Sequence, residues 1–134
     1  MQTLFELKTK TVPDPTVARR LREKAIELLS DAEQGQYTQA IVLHSATGQE
    51  YGTVIQNALS EEKTEETVFL REIRETKDSE IRFVLCMWQD FGIDIPSFAF
   101  RKLLLDLNDK NSEATLLVMT EDGVSGIKLS TTMK

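Results

Sequence analysis

Residues 81–88 read IRFVLCMW, the most apolar run in the chain, and they decide the fold. A strand of this composition belongs in the middle of a sheet. Working outward, residues 38–45, TQAIVLHS, carry Ala40, Ile41, Val42 and Leu43 without interruption, which suits a sheet covered on both faces. Ala46-Thr47-Gly48-Gln49 reads as a hairpin turn, and Glu50–Gln56 as the return strand, with Gly52 a candidate bulge. On the other side, residues 114–119 (ATLLVM) and 125–131 (SGIKLST) flank Thr120-Glu121-Asp122-Gly123, a second hairpin signal.

The helices fall between these strands. Asp14 is a good N-cap and Pro15 suits a first helical position. Val17, Leu21, Ala25, Leu28 and Leu29 then form one stripe to about Glu33, with Ile26 at its margin. Gln34-Gly35-Gln36 ends this helix. Ser60 can cap a second helix whose first turn holds Glu61 and Glu62. Glu66, Phe69, Leu70, Ile73 and Lys77 recur at its period. Residues 67–74 could also be a strand, but Val68-Phe69-Leu70 do not alternate, which favours helix. After the loop Gln89-Asp90-Phe91-Gly92, Asp94 is a candidate cap for a third helix, with Ile95 and Pro96 in its first turn. Phe100, Leu103, Leu104 and Leu107 line one face of that helix. Residues 3–11, TLFELKTKT, read as a lysine-bearing edge strand ended by Val12-Pro13-Asp14-Pro15. The order β-α-β-β-α-β-α-β-β predicts an α/β fold. The expected architecture is a three-layer α/β/α sandwich with a mixed five-stranded sheet plus an N-terminal edge strand.

The chain has 134 residues and a formal net charge of -6, with 40% hydrophobic and 28% charged residues. That is the size of one domain, residues 1–134. Six glycines and three prolines exclude collagen-like and low-complexity classes. No apolar run approaches the ~18 residues of a membrane span. MQTLFELKTK lacks the plan of a signal peptide. One cysteine, Cys86, excludes a disulfide framework and fits a reducing cytoplasm. The acidic balance argues against nucleic acid, which favours a basic surface. There is one histidine, His44. One Cys and one His cannot furnish a Cys/His-rich zinc site, and any Cys–His or Ser–His pair must use His44. The composition points to a protein that binds rather than catalyses.

Three further stretches then resemble the cytidine deaminase-like family. Gly52-Thr53-Val54-Ile55-Gln56-Asn57-Ala58 is similar to the hairpin end G-C-N-V-E-N-A, keeping the glycine and the final Asn-Ala. Thr64-Glu65-Glu66 stands near the place of the C-A-E or H-A-E that opens the family's next helix. Pro96-Ser97-Phe98-Ala99-Phe100-Arg101 is similar to P-C-x-x-C-R. The resemblance covers about residues 15–131 and implies the family fold. It also implies a loss. The family holds zinc with one His or Cys and two Cys, and here Thr64, Ser97 and Phe100 occupy those places. A hydroxyl is a poor zinc ligand and a phenyl ring is none. The family's sugar-reading Asn-x-Glu corresponds to Val54-Ile55-Gln56. The resemblance therefore implies a zinc-free pseudoenzyme with no catalytic residues and no cofactor. Its remnant pocket would lie near Gln56, Asn57, Glu66 and Arg101.

The remaining candidates read as structural. His44 suits a rim histidine, and Cys86, among Val84, Leu85 and Met87, a buried apolar group. The basic cluster Arg19, Arg20, Arg22 and Lys24 is interrupted by Glu23 and Glu27, as on a solvated face. Residues 61–80 hold eight carboxylates against Lys63, Arg71, Arg74 and Lys77, a local balance of -4. Phe100, with Phe98 or Phe69 nearby, is the candidate plug of the former site. Trp88, Phe91 and Arg101 are candidates for an interface. The leading expectation is protein binding or self-association as a homo-oligomer. The alternatives are a metal-free small-ligand or nucleotide-binding protein or enzyme, and an acidic immunity or inhibitor-type protein with a basic partner.

Overall fold

The computed structural model describes residues 10–11, 14–33, 35, 37–121 and 123–133. The expected first strand is seen only as β1, Lys10–Thr11; residues 3–9 lie outside the described residues, as do Gln34, Gln36 and Asp122. Helix α1 spans Pro15–Asp31, β2 Gln39–Ser45 and β3 Glu50–Ile55. Helix α2 spans Thr64–Glu75, β4 Ile81–Trp88 and β5 Ile93–Asp94. Helix α3 runs Phe98–Leu107, followed by β6, Thr115–Thr120, and β7, Gly123–Lys128. Short 3-10 turns cover Asp109–Glu113 and Leu129–Met133.

The strands form one sheet in the order β1-β7-β6-β4-β2-β3, with β5 paired to β4. The β4–β6 pair is parallel and the other pairs are antiparallel. Helix α1 covers one face through Ala18, Leu21, Ala25 and Leu29, against Ala40, Val42, Leu85, Met87 and Leu117. Helices α2 and α3 cover the other face through Phe69, Leu70, Ile73, Phe100 and Leu104, against Ile41, Leu43, Ile55, Val84, Cys86 and Leu116. The unbroken run 84–87 is thus apolar because successive side chains enter opposite cores. This is the three-layer sandwich with a mixed sheet that the sequence led us to expect.

Asp14 caps α1 as expected, its Oδ1 accepting from the Thr16 and Val17 N–H groups at 2.8 and 3.3 Å. Four local expectations are corrected. Ser60 does not cap α2: its Oγ accepts from Glu62 N at 3.2 Å, while buried Ala58 anchors the loop and the helix begins only at Thr64. Asp94 does not cap α3 either. It lies in β5 and accepts from its neighbour Ile95 N, and Ser97 takes the cap, accepting from Phe100 N at 3.2 Å. Ile95 and Pro96 therefore precede the helix. Gly52 forms no bulge, because β3 pairs with β2 in unbroken register through Val42 opposite Gly52. The irregularity falls instead between His44 and Ser45, where β2 meets β4. Gly52 serves close packing: a Cβ there would lie 2.7 Å from Leu28 Cδ1 of α1. Finally, the last strand stops at Lys128, and 129–131 turn into 3-10 geometry.

Candidate functional site

The end of β3 and the openings of α2 and α3 meet on one face of the sheet, where Ile55, Ala58, Cys86 and Phe100 share a core. Thr64 and Ser97, at the starts of α2 and α3, are exposed, and the Ser97 hydroxyl is committed to its cap. Phe100 is 1% exposed. The three positions compared with zinc ligands thus offer hydroxyls on two exposed residues, one of them committed to a cap, and a buried ring. This donor set does not fit zinc. Among the described residues, no group of three or more His, Cys, Asp or Glu is placed to hold a metal ion.

Glu66 is almost fully buried. Lys63 Nζ lies 3.4 Å from Glu66 Oε2 and donates to the Ala58 carbonyl at 2.8 Å. A buried carboxylate needs such a partner. Sequence reasoning passed over Lys63; its signal was the i,i+3 spacing to Glu66, which places both on one helical face. Burial pushes the Cys86 thiol far up, and the Asp94 and Glu66 carboxylates add to the rise. Cys86 is thus held as the neutral thiol, the less nucleophilic form.

The other candidates are held by separate partners. Gln56 Oε1 accepts from the Thr38 hydroxyl at 3.4 Å, and Gln56 N–H donates to Glu65 Oε2 at 3.3 Å. The Asn57 carbonyl accepts from Ser60 N–H. Arg101 Nε donates to the Pro96 carbonyl at 3.1 Å and Nη1 to the Thr132 carbonyl at 2.9 Å, tying α3 to the last turn. Its guanidinium lies 5.5 Å from the Phe98 ring centroid. Phe98 itself is exposed and Phe69 is buried in the shared core. His44 projects to the α1 face, packed edge-on against Phe83 with centroids 5.8 Å apart. Its Nδ1 is 3.9 Å from Glu50 Oε2, which in turn pairs with Arg20 at 2.9 Å. The sheet therefore separates the one histidine from the one cysteine.

Two other features stand out on the α2 side. Asp78 Oδ2 accepts hydrogen bonds from Ser45, Thr47 and Tyr51 at 2.7, 2.8 and 2.7 Å. An open groove of about 480 Å³ runs between β3 and α2.

No family model and no curated protein matches the chain. Solved structures do. Cytidine deaminase from Mycobacterium leprae is similar with a TM-score of 0.64 and 17% identity, over 87% of this chain and 96% of that one. Cytidine deaminase from Mycobacterium tuberculosis gives a TM-score of 0.61 at 13% identity, over 86% and 92% of the two chains. An α/β sandwich of this order and register defines a fold class. The chain has the cytidine deaminase-like fold.

Proposed function

We propose that this chain is a zinc-free member of its fold that works by binding another protein or its own copies, not by deamination. The observation that carries the reading is Phe100, sealed in the core at a position where the resemblance calls for a metal ligand. With no metal to lower it, the pKa of water stays near 15.7, and no hydroxide forms near neutral pH to attack a base. The Lys63–Glu66 pair supports the same reading. A buried glutamate engaged with a partly buried ammonium is held for structure rather than free to shuttle protons. Self-association through the surface around Trp88 and Phe91, with Arg101 expected at its rim, belongs to this proposal.

The test is elemental analysis of protein expressed with added zinc, combined with an assay for ammonia released from cytidine. We expect no stoichiometric zinc and no ammonia above the uncatalysed background. About one tightly held zinc per chain, or turnover, overturns the proposal.

A further inference from the structure

Strand β3 ends the sheet path, and among the described residues no strand pairs with its outer side. The hairpin fixes which of its backbone groups face outward. Ser45 N–H donates to the Gln49 carbonyl at 2.9 Å and Gly48 N–H to the Ser45 carbonyl at 3.0 Å, with Gly48 at φ +90. Bonded and non-bonded pairs alternate in an antiparallel ladder. With this register the bonded pairs are Leu43/Tyr51, Ile41/Thr53 and Gln39/Ile55. Glu50, Gly52 and Val54 therefore aim their N–H and C=O groups at the open edge. The next outward N–H, that of Gln56, is already taken by the Glu65 carboxylate of α2, which confirms the alternation and marks where the open edge stops.

Beside this edge lies the groove of about 480 Å³. Val68, 41% exposed, Phe69 and Ile73 give it an apolar floor, and Glu65 and Glu72 of α2 stand beside it, with no lysine or arginine among the described residues that line it; the Glu50 carboxylate is turned to the α1 face, where Arg20 pairs it. We propose that β3 and this groove receive an extended basic segment of a partner protein, added as a further antiparallel or parallel strand. Backbone groups of Glu50, Gly52 and Val54 supply the ladder. Alternate lysine or arginine side chains of the segment, which share one face of a strand, meet the Glu65 and Glu72 carboxylates of α2 and lay their methylene stems on Val68. The proposal rests on the protein-binding reading above and names its surface and partner.

The probe is a fluorescein-labelled, end-blocked octapeptide of alternating Lys and Val, with a Glu and Val octapeptide as control, titrated with the full chain and read by anisotropy. We expect saturable binding of the basic peptide alone, weakened at least tenfold between low and 0.5 M salt. Glu65→Lys with Glu72→Lys is expected to weaken it at least tenfold. Val54→Pro removes an outward N–H and leaves the β2 ladder intact, an edge position that tolerates proline; it should weaken binding by a similar factor. A backbone N-methylated basic peptide, which cannot join a ladder, should not bind, and this arm stands even if Val54→Pro does not fold. No binding of the basic peptide, equal binding of the two peptides, binding unchanged in the Glu65/Glu72 variant, or binding unchanged by N-methylation overturns the proposal. None of these outcomes bears on zinc content or cytidine turnover, so failure here is distinct from failure of the broader reading.

Discussion

Phe100 and Asn111 show what single residues carry. Phe100 was legible in the sequence as an apolar residue where the resemblance wanted a cysteine, and the core position follows from hydrophobicity alone. Its replacement by alanine is expected to cost about 3–5 kcal/mol, the usual range for a buried phenyl. Urea denaturation measures it, and a loss under about 1 kcal/mol, the scale of a mere surface change, would remove Phe100 from the core. Asn111 is the opposite case. It sits in the polar stretch 108–112, and nothing local distinguishes it from a solvated loop residue. In the structure it is fully buried: Oδ1 accepts from Ile81 N at 2.7 Å, and Nδ2 donates to the Leu104 and Ser79 carbonyls at 2.9 and 3.1 Å. It joins the start of β4 to the end of α3, and those partners come together only in the tertiary fold. Asn111→Ala leaves Ile81 N–H without its partner, and a cost on the order of 1–3 kcal/mol is expected for that group. A urea midpoint unchanged from wild type would show that water substitutes for the amide.

At the scale of elements, what the sequence revealed depended on whether the signal was periodic or a contest between neighbouring polar residues. The apolar runs of β2 and β4 and the stripes of the helices were plain, since period and burial coincide. The starts of α2 and α3 were not. Ser60, Asp94 and Ser97 are all good caps by chemistry, and tertiary placement of Ala58 and β5 selects among them. The two-residue β5 is too short to leave a periodic trace. The connection from α2 to β4 is pinned through Asp78. Burial alone would raise the Asp78 carboxyl, but hydrogen bonds from Tyr51, Ser45 and Thr47 outweigh it and hold the group below its ordinary 3.8. A depressed carboxylate contributes stability that is present above the ordinary value and is lost as pH falls through the lowered one. Thr76 pulls the Tyr51 phenol down, yet the hydrogen bond to Asp78, burial and the Asp78 charge together raise it above 10.0. That contribution is present below pH 10 and disappears as pH rises through the raised value. Urea midpoints measured across pH should therefore decline at both ends. Asp78→Asn should flatten the acid limb and Tyr51→Phe the alkaline one; limbs as steep as wild type in both variants would show that other groups govern the pH response.

Across the whole molecule, apolar surface gathers at one end of the sheet. Tyr37, Leu59 and Phe91 are 41, 58 and 48% exposed, and Tyr37 and Leu59 share a shallow cavity with Trp88. Phe91 holds its ring out at φ 68, a conformation uncommon outside glycine and asparagine. Exposed patches of this kind mark interfaces. The proposal of self-association therefore predicts a dimer or larger assembly by light scattering at micromolar concentration, shifted toward monomer by Phe91→Ala. A single-chain mass across the dilution range would rule the assembly out, and an assembly indifferent to Phe91→Ala would place its contacts elsewhere. No helix among the described residues is long and apolar enough to cross a membrane. The arrangement of the central strands carries one more consequence, for the order of events in folding. The hairpins β2–β3 and β6–β7 join neighbouring segments, whereas β2 must find β4 across all of β3 and α2, setting Gln39 opposite Trp88 and Leu43 opposite Val84. Loop closure over that span precedes any reward from the pairing, so this step is expected to slow refolding. Conservative substitutions at Leu43 or Val84 should slow refolding in a chevron, while those in α1 should mainly hasten unfolding.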